Sequence, residues 1–200
     1  MLLNMIEKSI GLDRWLFLKK FFQNPRDIGS IIPSSTSLTQ KMLEPVRWGE
    51  INSLVELGAG TGVFTEAIHA SKRPDCKVVI FEKDDEMRGQ LQSQYSEFNF
   101  CKNAVELKKN LSDLGIDKVD CIISGLPFAN FTQSDRSQII SQIKETLHED
   151  GVFVTFQYSL QMKKMLQEEF AHMRIYLVPW NVPSAFVYVC RLKTTFVKHS

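Results

Sequence analysis

Three glycines alternate at positions 58, 60 and 62, just behind a carboxylate, Glu56. They close the apolar run Leu54-Val55-Glu56-Leu57 and open a segment of helical spacing, Val63-Phe64-Thr65-Glu66-Ala67-Ile68. The arrangement predicts a buried strand, a tight loop and a helix N-terminus. Glycine has no Cβ, so the loop Gly58-Ala59-Gly60-Thr61-Gly62 can take positive φ and let a ligand approach the backbone. The helix start adds free N–H groups. A second carboxylate, Glu82, follows 26 positions after Glu56 and ends another apolar run, Lys77-Val78-Val79-Ile80-Phe81. In a βαβ unit this places Glu82, with Lys83 beside it, at the C-terminal edge of the neighbouring strand. A carboxylate there accepts both ribose hydroxyls of a nucleoside. The bland alternatives are an ordinary glycine turn and an acid near a helix start, since Asp84-Asp85-Glu86 follows. The two features occur together at the right separation, which favours the nucleoside site.

Those residues need elements to hold them. The spacing predicts strands over 54–57, 77–82, 98–101, 119–124 and 152–157, with helices over 62–70, 84–94, 105–115, 132–147 and 160–170 between and after them. Glu149-Asp150-Gly151 reads as the turn that closes the fourth of these helices. The strand Val119-Asp120-Cys121-Ile122-Ile123-Ser124 runs into Gly125-Leu126-Pro127-Phe128, a second glycine and proline stretch at a strand end. Open α/β sheets bind ligands outside the carboxyl ends of their strands. Residues 56–62, 82, 101–104 and 124–128 therefore converge on one edge, and Tyr158 stands just past strand 152–157. The last two strands, 172–178 and 185–192, have no helix between them and read as a hairpin-like pair.

A chain of 200 residues with 44% hydrophobic content suits one domain with a full core. A formal charge of +1 gives no bulk attraction for polyanions, so nucleic acid is not an expected partner. Cys76, Cys101, Cys121 and Cys190 form no C-x-x-C pair and read as reduced, mostly buried thiols. The four histidines are scattered, so no metal site is expected. No stretch reaches 18 apolar residues, which gives no expectation of a membrane span, and the N-terminus lacks the pattern of a cleaved signal peptide.

Residues 1–23 are a different matter. Ile6, Ile10, Phe17 and Phe21 recur near helical spacing, Trp15, Leu16, Leu18 and Phe22 widen the apolar face, and Gly11 divides the segment. Residues 1–26 carry five Lys/Arg against two acids. A basic amphipathic helix of this kind lies in a lipid interface or docks the same face on its own domain. The residues leave both readings open. Asn24-Pro25 ends the segment, Ser34 or Ser35 can cap a helix that continues to about Leu43, and the loop Ile31-Ile32-Pro33-Ser34-Ser35 is placed to act as a lid over the pocket.

The motif [D/E]-x-G-x-G-x-G at 56–62 resembles the first motif of class I S-adenosylmethionine-dependent methyltransferases. The resemblance implies an α/β fold: a seven-stranded, mostly parallel Rossmann-like sheet with helices on both faces, here with an N-terminal amphipathic helical extension. Residues 1–48 would form that extension, with its membrane-contact helix and lid, and residues 49–200 the methyltransferase domain. It implies S-adenosyl-L-methionine as cofactor. Gly58, Ala59, Gly60 and Gly62 would lie beside its methionine part, and Glu56 would support the loop or the cofactor amino group. Glu82 and Lys83 would stand at the ribose, Asn103 and Ala104 at the adenine, and Ser124 at the edge of the pocket.

The order Asn24-Pro25-Arg26, Gly29-Ser30-Ile31-Ile32-Pro33-Ser34-Ser35, the glycine loop, Ser124-Gly125-Leu126-Pro127-Phe128 and Val182-Pro183-Ser184-Ala185-Phe186-Val187-Tyr188 is similar to the small bacterial phospholipid N-methyltransferases, over nearly the whole chain. Family members often have an acid where Asn103 stands and a double proline where Val182-Pro183 stands. The resemblance implies methyl transfer to the amine of a phospholipid headgroup such as phosphatidylethanolamine. Ser124, Gly125 and Pro127 would border the transfer site, and Tyr158 would be the acceptor-side hydrogen-bonding group. It also implies an anionic membrane surface as partner, a monomer or weak homo-oligomer, and a cytoplasmic location at the inner face of the cell membrane, with residues 1–23 as the anchor. One alternative is rRNA adenine N6-methylation, whose family carries [N/D]-[L/I/P]-P-[Y/F] after the fourth strand. Here glycine, at 125, replaces the amide. The other is a non-catalytic membrane-surface protein on the same fold.

Overall fold

The computed structural model describes residues 32–181 and 183–192. The anchor expected over residues 1–23 lies outside the described residues. The elements are α1 (Ile32–Leu43), β1 (Ser53–Leu57), α2 (Val63–Ser71), β2 (Lys77–Phe81), α3 (Asp85–Gln94), β3 (Asn99–Cys101), α4 (Leu107–Asp113), β4 (Val119–Ser124), α5 (Gln133–Thr146), β5 (Leu147–Gln157), α6 (Lys163–Glu169), β6 (His172–Val178) and β7 (Ala185–Arg191).

Seven strands form one sheet in the order β3-β2-β1-β4-β5-β7-β6. Strands β1 to β5 pair in parallel. Strand β7 enters between β5 and β6 and is antiparallel to both. The parallel strands are apolar on both sides because both sides are covered. Alternate residues feed two cores. Leu54, Val78, Ile80, Ile123, Val154 and Phe156 pack beneath α1, α2 and α3. Val55, Leu57, Val79, Phe81, Ile122 and Phe153 pack against α4, α5 and α6. The expected seven-stranded sheet with helices on both faces is what the chain forms.

Two local readings change. Helix α1 begins at Ile32 rather than after a serine cap. The expected lid loop is therefore helical from Ile32 onward; Pro33 falls in the first turn, where its missing N–H costs nothing. The described part of the expected extension also feeds the main core: Leu38, Met42, Leu43 and Val46 are buried with the sheet residues. Strand β5 starts at Leu147, five residues earlier than expected. Val119 pairs with Leu147 and Cys121 with Val152, so residues 148–151 form a bulge rather than a turn outside the sheet. The carbonyl of Asp150 in that bulge accepts a bond from Arg191.

Strand order reverses at β1, which has β2 on one side and β4 on the other. Such a switch point opens a crevice at the carboxyl ends of the strands. The glycine loop leaves β1 at this crevice, and Gly125 leaves β4 beside it.

Candidate functional site: a glycine loop clasped by Glu82

Gly58, Gly60 and Gly62 have φ of +78°, +56° and +87°. An L-residue in this region costs roughly 1–2 kcal/mol, so the alternating glycines are a backbone requirement. The ladder continues past the strand to hold the loop. The N–H groups of Gly58 and Ala59 donate to the Phe81 carbonyl at 2.7 and 3.3 Å. Gly62 opens α2 without a side-chain cap.

Glu82 follows β2 and reaches back across the crevice. Its Oε2 accepts from the Gly60 N–H at 2.7 Å and its Oε1 from the Asp84 N–H at 2.9 Å. Capping of α3 falls to Asp84, whose carboxylate accepts from Glu86 and Met87. Glu82 is thus a clasp on the glycine loop, not a helix cap. A carboxylate has about four acceptor positions, so two remain for hydroxyls. A Cβ placed on Gly60 would meet nothing within 4 Å, whereas one on Gly58 would approach Leu126 Cδ2 to 2.9 Å. The loop is packed on its inner side and open on its outer side. Open space, a half-buried carboxylate and positive-φ backbone together fit the sugar and amino-acid parts of a nucleoside cofactor.

Glu56 lies wholly buried beneath the loop. Its Oε2 accepts from Thr65 Oγ1 on α2 at 2.7 Å, and its Oε1 has no partner among the described residues. Burial pushes its carboxyl up to about 8; Thr65 opposes the shift and nearby Glu82 adds to it. Glu56 is therefore neutral in the folded protein at neutral pH. An acid whose folded value is raised keeps its proton where the unfolded chain loses it. Stability from this group is full below the unfolded value of 4.5 and is lost as pH rises through about 8. The expected result is a urea midpoint that falls between about pH 5 and about pH 8 and levels off above that. Glu56→Gln keeps an acceptor for Thr65 and should flatten that slope; an unchanged slope would show that Glu56 is not its source.

The other expected residues divide. Ser124 is buried at the end of β4, and its Oγ accepts from the Leu126 N–H at 3.2 Å. The Gly125 N–H donates to the Leu57 carbonyl at 2.8 Å. Pro127 is exposed, and its carbonyl accepts from Asn130. The Leu126 carbonyl accepts from both Phe128 N–H and Gln157 Nε2, so both its lone pairs are used within the fold. Asn103 is exposed and uses its Oδ1 to cap the short turn starting at Ala104, through the Val105 N–H at 3.2 Å. Its amide NH2 and one lone pair of Oδ1 remain open. Lys83 is exposed.

Tyr158 is half-buried against Phe156, with ring centroids 5.6 Å apart, and Phe156 packs on Phe64 of α2 at 5.9 Å. This row of rings runs from Tyr158 to the helix below the glycine loop. Burial pushes the Tyr158 phenol up to about 12, and its hydrogen bond with Asn181 opposes the shift. Tyr158 is a hydrogen-bonding group at neutral pH, not a proton acceptor. Sequence reasoning missed Thr65, Asn181 and Gln157. The last ends the run Val152-Phe153-Val154-Thr155-Phe156, and a side-chain amide at the close of so apolar a strand was the available signal. Among the described residues, no three His, Cys, Asp or Glu side chains group to hold a metal ion.

The methyltransferase domain profile matches residues 54–151, from the start of β1 into the β5 bulge. A protein of Singulisphaera acidiphila named ornithine lipid N-methyltransferase is 30% identical over 187 residues, spanning 90% of this chain and 96% of its own. The chain belongs to the class I S-adenosylmethionine-dependent methyltransferases. Its fold is shared with solved members of low identity. The Burkholderia thailandensis 1,6-didemethyltoxoflavin-N1-methyltransferase, solved with S-adenosylhomocysteine, superimposes with a TM-score of 0.65 at 15% identity, covering 94% of this chain and 90% of that one. A ribosomal protein L11 methylase from Lactobacillus delbrueckii subsp. bulgaricus gives 0.59 at 18% identity, covering 80% and 79%. The cofactor of this methyltransferase is S-adenosylmethionine.

Proposed function

We propose that this methyltransferase N-methylates the headgroup amine of a membrane lipid, working from the cytoplasmic membrane surface. The supporting observation is the likeness to the ornithine lipid N-methyltransferase, which extends over 90% of the chain and so includes the acceptor half of the domain. A phospholipid such as phosphatidylethanolamine presents the same chemistry, a primary amine on a lipid.

The cofactor supplies a methyl group already activated on a sulfonium. The residues need to bind it, align a neutral amine and exclude competing groups. Gly58, Gly60, Gly62 and Glu82 hold the donor end. Ser124, Gly125 and Tyr158 flank the space between the carboxyl ends of β4 and β5, where an amine can be oriented. Tyr158 supplies a fixed hydrogen-bonding hydroxyl there.

RNA adenine methylation is disfavoured by Gly125. A Cβ at that position would stand 2.8 Å from the Gly58 carbonyl oxygen, so the amide of the RNA-modifying motif has no room. The test supplies labelled S-adenosylmethionine with phosphatidylethanolamine, an ornithine lipid and total RNA, each dispersed separately. Label in an amine lipid is expected, and the stronger of the two lipids names the headgroup. Label confined to RNA would overturn the reading.

A further inference from the structure

We propose that Leu160, Leu177 and Trp180 form an apolar anchor that seats the carboxyl edge of the sheet in the interfacial layer of a lipid bilayer. The inference rests on the lipid-acceptor reading and assigns the surface by which that acceptor is reached. Leu160, Leu177 and Trp180 are 45%, 56% and 79% exposed. Leu160 follows the end of β5; Leu177 and Trp180 stand at the end of β6. Both strands are antiparallel to β7, so their carboxyl ends share one edge. With β7 alone between them, those ends lie roughly 10 Å apart. This is the edge that carries Tyr158, Gly125 and the glycine loop. Among the described residues the one other large apolar side chain so exposed, Leu114 at 39%, precedes β4 and lies toward the opposite edge.

The turn that carries Trp180 is built to leave water. Buried Asn181 donates from Nδ2 to the Pro183 carbonyl at 2.8 Å, Ser184 Oγ donates to the Pro179 carbonyl at 3.2 Å, and the Asn181 N–H donates to the Val178 carbonyl at 3.4 Å. Three carbonyls of the turn are thereby satisfied internally, which lowers the cost of bringing it into a headgroup layer. Tryptophan is the side chain most suited to that layer. Beside Leu160, Lys163 and Lys164 are exposed and supply charge for anionic headgroups.

Helix α1 packs beside the same strand, β6. Lys41 Nζ sits 4.3 Å from the ring centroid of Tyr176, near the end of β6. Arg47 lies with His172 and Arg191, around the start of β6. Helix α1 therefore descends along β6 from a first turn at the carboxyl edge.

The test uses the full chain with Trp15→Phe and Trp48→Phe, leaving Trp180 as the fluorophore. Vesicles of phosphatidylglycerol and phosphatidylethanolamine carry bromine on their acyl chains. A blue-shifted Trp180 emission, quenched by the bromines, is expected. In the otherwise native chain, Trp180→Ala should lower vesicle partitioning about tenfold, with unchanged kcat/KM for amine lipid dispersed in detergent. Three results would overturn the anchor: Trp180 unquenched on vesicles that hold the protein, no vesicle binding at all, or an emission shift that follows protein concentration without lipid, which would mark a contact between copies. Quenching of Trp180 together with no transfer to detergent-dispersed amine lipid would sink the acceptor reading and leave the anchor standing.

Discussion

Glu82→Ala is expected to weaken binding of S-adenosylhomocysteine by about a hundredfold. The carboxylate holds the Gly60 N–H at 2.7 Å and the Asp84 N–H at 2.9 Å. It therefore fixes the glycine loop from outside and keeps about two acceptor positions in reserve. Hydrogen bonds to a charged group contribute about 1.5–3 kcal/mol each. Loss of two ribose bonds, partly offset by water, leaves about 3 kcal/mol, or about a hundredfold in affinity. Calorimetric titration reads the effect directly. The variant should still fold, since Gly60 and Asp84 are accessible enough for water to replace the lost acceptor. An affinity within about threefold of the native protein would remove Glu82 from the cofactor site.

The second large effect is expected from Gly125→Ala. Gly125 has no positive φ, so its requirement is one of space. The new Cβ would stand 2.8 Å from the Gly58 carbonyl oxygen. Neither side can yield easily, because the Gly125 N–H is bonded to Leu57 and the Gly58 N–H to Phe81, at 2.8 and 2.7 Å. Overpacking of this kind costs about 1–3 kcal/mol, which lowers Tm by about 2–12 °C in a domain of this size. The displaced atom belongs to the glycine loop, so turnover should fall further than stability does. Gly89→Ala is the control. Gly89 lies inside α3 with nothing within 4 Å of a new Cβ, and there the same change should stabilise by about 0.5–1 kcal/mol. Equal effects at the two positions would show that contact with the loop is not what matters at Gly125.

The parallel half of the fold could be read from sequence because each strand is an apolar run buried on both faces. The carboxylates could be read because strand ends and the 26-residue spacing place them together. What escaped were relationships across space. Gln157 meets Leu126 at a separation of 31 residues, and nothing local announces the pair. Residues 148–151 carry turn chemistry, yet they bulge within a strand, where Arg191 of β7 donates to the Asp150 carbonyl. Asn103 is the converse case. Its type suited an adenine contact, but an asparagine ahead of a helical turn also caps it, and the structure shows the cap.

The order of the sheet has a consequence for how such an enzyme diversifies. Strands β3, β2 and β1 lie on one side of the switch and carry Glu82 and the glycine loop. Strands β5, β7 and β6 lie on the other and carry Tyr158, the seat of α1 and the exposed turns. Descent can therefore alter the second group while the first is inherited intact. Substitutions in the second group leave the backbone that Glu82 clasps untouched.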